Sequence, residues 1–90
     1  MTTTALPVGT NLVQLGAYES PEVAASEWVR FNTRFSDFLA GKERVLQRAE
    51  RGGRTFFRLR AMGFNEIADA RRLCAALIAE GTDCVPVVVR

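Results

Sequence analysis

The stretch VLQRAERGGRTFFRLRA, Val45 to Ala61, holds two short runs of alternating character on either side of a pair of glycines. Val45 to Glu50 reads as one strand, Arg51-Gly52-Gly53-Arg54 as a hairpin turn, and Thr55 to Ala61 as the next strand. Adjacent glycines supply the positive φ that a tight hairpin demands. Pairing about that turn puts Phe57 and Leu59 on one face with Leu46. It puts Phe56, Arg58 and Arg60 on the other with Val45, Gln47 and Ala49. The first face is apolar and belongs to a core. The second gathers an aromatic ring, an amide and two guanidinium groups.

Upstream, Asn11 to Ser20, NLVQLGAYES, reads as a strand running into a turn. On a pleated strand Val13 and Leu15 join the core face, while Leu12, Gln14 and Gly16 face the other way. Ser20-Pro21-Glu22 then starts a helix with a serine cap, proline at the first helical position and an acid near the positive end of the dipole. Ala24, Trp28, Phe31 and Phe35 recur at helical spacing, which makes Trp28 a core residue rather than a ligand platform, with Arg30 and Arg34 toward solvent. This helix ends before Gly41, with Ser36 a point at which it can break. Past Gly63-Phe64-Asn65-Glu66, read as a turn and cap, Ile67, Ala70, Cys74, Leu77 and Ile78 mark the buried face of a second helix closed by Gly81. Cys84 to Val89 is a final strand.

The order is β-α-β-β-α-β, with SPEVA and NEIADA opening the two helices of weakly similar halves. The expected architecture is α+β, a four-stranded antiparallel sheet with two helices packed on one face and the other face uncovered. Function is to be sought on the uncovered face. By alternation its strip collects Gln14, Gln47, Phe56, Arg58 and Arg60, with Gly16 leaving room at the sheet end. A lone amide on a solvated strand face needs no role of its own. A large exposed aromatic is more informative, because it costs solubility.

Ninety residues, 48% hydrophobic and 24% charged, make one globular domain, with residues 1–10 a flexible leader or linker and residues 11–90 the folded unit. Net charge is only +2, against the broad basic footprint of a nonspecific nucleic-acid binder, although Arg48, Arg51, Arg54, Arg58 and Arg60 cluster. No apolar run is long enough to span a membrane, and the N-terminus lacks the pattern of a signal peptide. With no histidine, no metal-ligand spacing and no paired carboxylates on the open face, the parts of a hydrolytic enzyme are missing, and neither a metal nor a cofactor is expected. Cys74 and Cys84 fall in one neighbourhood. That leaves open both a disulfide, which needs an oxidising compartment, and a pair of buried thiols.

Two longer passages, LVQLGAYESPEVA and GGRTFFRLRAMGFNEIADARRLCAALIAEGTDCVPV, resemble the SPOR (sporulation-related repeat) domain family. The first is similar to its aliphatic-Gln-aliphatic-Gly/Ser strand leading into a capped helix. The second is similar to its Gly-x-x-aromatic-Arg-aliphatic-Arg segment, helix and closing strand. The likeness runs from about residue 11 to residue 89. It departs at Ala61-Met62-Gly63-Phe64, where many relatives have Gly-Pro, and in the longer, more aromatic first helix. The resemblance implies the β-α-β-β-α-β fold and noncatalytic binding of septal peptidoglycan through the open sheet face, with a preference for glycan strands stripped of their stem peptides. It implies binding roles for Gln14, Gly16, Phe56 and Arg58. It also implies that the domain is a monomeric targeting module of a larger exported or membrane-anchored division or envelope protein, at the division septum in the periplasm, itself without membrane contact. Acetamido groups and hydroxyls suit an amide, lactyl carboxylates suit guanidinium groups, and sugar C–H faces suit a ring.

The order of elements is also that of ferredoxin- and RNP-like folds, and RGGRTFFRLR superficially resembles the third-strand consensus of the RNA-recognition motif. That motif also stacks bases on a first-strand aromatic. Here the first strand offers Leu12, Gln14 and Gly16, so nucleic acid is not the expected partner.

Overall fold

The computed structural model describes residues 6–90. Its elements are β1 (Asn11–Tyr18), α1 (Pro21–Arg34), α2 (Ser36–Leu39), β2 (Glu43–Arg51), β3 (Arg54–Phe64), α3 (Ile67–Ala79) and β4 (Val85–Val88). The strands form one antiparallel sheet in the order β2-β3-β1-β4, so that β3 and β1 are central. The expected α+β architecture stands, with a third, short helix added.

The hairpin is as its sequence reads. Arg51 pairs with Arg54 around Gly52 and Gly53, whose φ values of 60° and 80° are those of a two-residue turn matched to strand twist. Leu46 then falls opposite Leu59, and Gln47 opposite Arg58. At the start of α1 the Ser20 hydroxyl accepts a hydrogen bond from the Val23 backbone N–H at 3.1 Å, and Pro21 occupies the first turn. The first helix does break where Ser36 permits it. Phe35 leaves helical geometry at φ −120° and ψ 41°, and the one-turn α2 that follows lets both Phe35 and Leu39 reach the core.

That core lies between the helices and one sheet face. It is built from Val13, Leu15, Ala24, Leu46, Leu59, Ala61 and the α3 stripe Ala70, Leu73, Cys74 and Leu77, with Trp28, Phe31, Phe57 and Tyr18 packed partly buried around it. Two positions of α3 differ from the pattern in the sequence. Leu73 is buried, whereas Ile78 is 58% exposed. The stripe facing the sheet is narrow, and Ile78, at the last turn, projects past the sheet toward β4. The third strand is also longer than expected. It continues through Met62 and Gly63 to Phe64, with Gly63 as an extra residue between the pairs Leu12↔Met62 and Asn11↔Phe64, which delivers the Phe64 ring to the core.

Cys74 and Cys84 are joined by a disulfide that ties α3 to the start of β4, so the alternative of two free thiols is excluded in this structure. The expected leader falls partly on residues 1–5, which lie outside the described residues. Gly9 and Thr10 exchange backbone hydrogen bonds of 2.8 and 3.0 Å with Val89, which extends the pairing beyond β4. Among the described residues, no helix is long and apolar enough to cross a membrane.

Candidate functional site on the open sheet face

The face turned away from the helices is set by register. Across the middle of the sheet, Val85, Gln14, Arg60 and Val45 follow one another from β4 through β1 and β3 to β2. The next row toward the hairpin holds Ala17, Arg58 and Gln47, and beyond it Phe56 stands opposite Ala49. The structure thus brings together five of the six residues that the sequence nominates: Gln14, Gln47, Phe56, Arg58 and Arg60.

Arg60 is the centre of this group. Its Nε–H donates to the Gln14 Oε1 at 3.0 Å, and its Nη1 donates to the Gln47 Oε1 at 2.5 Å. One guanidinium therefore bridges side chains from both neighbouring strands. A glutamate at either position would pair with that cation and neutralise it. A glutamine orients it and leaves the charge standing. Burial, and secondarily the positive charge of Arg58, lower the pKa of Arg60 from its ordinary value. The Arg58 guanidinium lies over the Phe56 ring, 5.4 Å from its centroid, a cation–π contact. None of the ion pairs among the described residues involves Arg58 or Arg60, so both charges remain available to a ligand.

Gly16 is the nominated residue that the structure places elsewhere. Between the pairs Gln14↔Arg60 and Gly16↔Leu59, β1 carries one extra residue, a bulge that shifts the alternation. Leu15 stays in the core, and Gly16, opposite the core residue Leu59, turns to the helix side. A Cβ there would come within 2.6 Å of the Tyr18 Oη, so Gly16 serves close packing rather than open space on the exposed face. Ala17, exposed and opposite Arg58, takes the open-face position assigned to Gly16 by simple alternation. Spacing could have revealed this: the core-facing residues Val13, Leu15 and Tyr18 step by two and then by three, the mark of a bulge.

The face is also less open than two helices on one side would suggest. Leu12 and Val45 point away from the helices and stand outside the main core, yet both are 0% exposed. They give the polar cluster an apolar floor. Beside it, Gln14, Leu15, Gly16, Ile78, Asp83, Cys84 and Val85 line a groove of about 440 Å³, which accounts for the exposed position of Ile78. The pairing with β4 stops at Val85, so among the described residues the second half of β1 has no partner strand on that side.

Comparison with known proteins agrees with this geometry. The family model described as the SPOR domain matches residues 7–88. The chain is 31% identical over 72 residues to the cell division protein FtsN of Caulobacter vibrioides, covering 80% of this chain and 27% of that protein. This chain therefore spans about a quarter of the length of that relative. Among solved structures, the peptidoglycan binding domain of the Bacillus subtilis cell wall lytic enzyme CwlC superposes with a TM-score of 0.64, at 17% identity, over 98% of this chain and 99% of that one. At that identity the likeness is one of fold.

Proposed function

This chain belongs to the SPOR domain family, and from that membership we propose that it binds peptidoglycan without cleaving it, through the Gln14–Arg60–Gln47 cluster and the Phe56–Arg58 pair. The observation that carries the reading is the amide-held guanidinium of Arg60, without an ion-pair partner among the described residues, in the middle of the sheet face turned away from the helices. A polar, anionic polymer with apolar ring faces suits such a strip: the amides and guanidinium groups meet acetamido groups and carboxylates, and Phe56 meets C–H surfaces. Glycan strands stripped of stem peptides are the preferred form, because they offer those groups unobstructed. The domain acts as a monomer and targets a larger division or envelope protein to the septum. The Cys74–Cys84 bridge is consistent with the oxidising periplasm.

Binding of single-stranded RNA has less to support it. By register Phe56 is the only aromatic on this face among the described residues, since Phe57 and Tyr18 turn to the helices. A single platform gives little stacking. The test is cosedimentation of the domain with isolated peptidoglycan, untreated or pretreated with an amidase. Enrichment on the stripped material, lost in Gln14→Ala, is expected. No pelleting on either preparation, with tight and salt-sensitive RNA binding instead, would reverse the assignment.

A further inference from the structure

We infer that Arg60 is a positioning residue: it fixes the Gln14 and Gln47 amides with their N–H₂ groups outward, so that the site presents donors and selects glycan bearing free carboxylates. This rests on the peptidoglycan reading above and narrows it to one chemical group.

A guanidinium has five N–H donors and no acceptor, so any amide bonded to it must turn its oxygen inward. Both amide oxygens do so, at 3.0 and 2.5 Å. Each amide nitrogen is thereby sent to the opposite branch. Among the described residues neither nitrogen has a protein partner, and no polar side-chain atom is buried unsatisfied, so these N–H groups face solvent. Arg60 keeps further N–H groups of its own, and among the described residues the Arg58 guanidinium is engaged only with the Phe56 ring. Among the described residues no carboxylate pairs with Arg58 or Arg60, and Asp83 lies in the neighbouring groove that Gln14 also lines. Glu43, the acid on this face of β2, stands one row away opposite Met62.

The surface that results is a positively charged set of donors with its main acceptors spent internally. Hydroxyls and acetamido groups, which donate as well as accept, are matched only in part by such a set. A carboxylate, which accepts only and carries charge, is matched fully. Removal of a stem peptide converts the uncharged amide linkage at the lactyl group into that carboxylate. The clamp therefore reads the chemical change that stripping makes.

The full chain should be titrated with amidase-stripped glycan and with the same glycan after its carboxylates have been coupled to methylamine, which leaves uncharged amides. Wild type should lose affinity by about tenfold or more on that conversion, the loss expected for a charge-assisted hydrogen bond. Gln14→Glu keeps an oxygen on Arg60 and replaces the outward donor with an acceptor. It should remain as thermally stable as wild type and bind stripped glycan about tenfold or more weakly. Arg60→Lys keeps the charge and loses the fork. It should bind with the preference between the two glycans reduced toward parity, an effect that loss of charge cannot explain. A ligand-free readout comes from the Arg60 Nε–H, whose exchange with solvent should be slow in wild type and fast in Gln14→Ala.

Equal wild-type affinity for both glycans, undiminished binding by Gln14→Glu, or fast Nε–H exchange in wild type would each overturn the clamp while leaving peptidoglycan binding intact. Wild type that binds neither glycan would remove the peptidoglycan reading, and this inference with it.

Discussion

Reduction of the Cys74–Cys84 bridge should destabilise the domain by an amount that its place in the chain sets. The cysteines are 10 residues apart. Closing so short a loop in the unfolded chain gives about 2.7 kcal/mol by the chain-entropy relation. The folded state should add little to that figure. Cys74 and Cys84 are 2% and 5% exposed, so the freed thiols stay packed as small apolar groups. For a domain of this size the loss corresponds to a fall in melting temperature of about 10 to 20 °C. Urea denaturation of oxidised and reduced wild type, followed by far-UV circular dichroism, measures it without any substitution. The loss should be local as well. Among the described residues the four-residue β4 has β1 as its only partner strand, and the bridge ties its start to α3, so the amides of Val87 and Val88 should gain hydrogen exchange more than those of β3. A reduced protein within about 0.5 kcal/mol of the oxidised one would refute the reasoning, since the relation allows no term that small for this loop.

Three further outcomes follow from the packing. Gly16→Ala should cost about 1 to 3 kcal/mol by overpacking, because its Cβ would lie 2.6 Å from the Tyr18 Oη and 2.9 Å from the Cζ. In a Tyr18→Ala background that penalty should largely vanish, and a double-mutant cycle with no coupling would contradict the contact. Burial, reinforced by Glu27 and opposed by Arg30, raises the pKa of the Tyr18 phenol. The stability held by the neutral phenol is complete below the unfolded tyrosine value of about 10 and is lost as pH rises through the higher folded value. Tyr18→Phe should flatten that alkaline decline in denaturant titrations, and an unchanged slope would show that the phenol does not cause it. Ser20→Ala should cost about 1 kcal/mol through the lost cap on α1, against about 2 to 5 kcal/mol for Leu59→Ala in the core, and equilibrium unfolding that reverses this order would show the core misassigned.

The parts of this molecule legible in its sequence are those governed by local rules. Gly52-Gly53 fixes the hairpin, the hairpin fixes the register, and register alone assigns Phe57 and Leu59 to the core and Phe56, Arg58 and Arg60 to the opposite face. Ser20-Pro21 marks the helix start with equal economy. Where an extra residue enters a strand, alternation misleads. The bulge at Leu15 and Gly16 exchanges the roles of Gly16 and Ala17, and the one at Gly63 turns an expected loop into strand. Burial that depends on distant neighbours is likewise hidden. Nothing local tells Leu73 from Ile78, or shows that Leu12 and Val45 are enclosed on a face read as uncovered. The bridging of Arg60 by two glutamines 33 positions apart in the chain needs three strands side by side, so the residue types were visible and the clamp was not.

The central claim, that the open face is the ligand surface, is tested most directly by two-dimensional NMR of the labelled domain titrated with soluble stripped glycan. The account predicts shifts in the amides of Gln14, Ala17, Gln47, Phe56 and Arg58 and in the side-chain N–H₂ groups of Gln14 and Gln47, with α1 and α3 unmoved except where Ile78 borders the groove. Shifts concentrated on the outer surfaces of α1 and α3, with Gln14 and Phe56 silent, would contradict it.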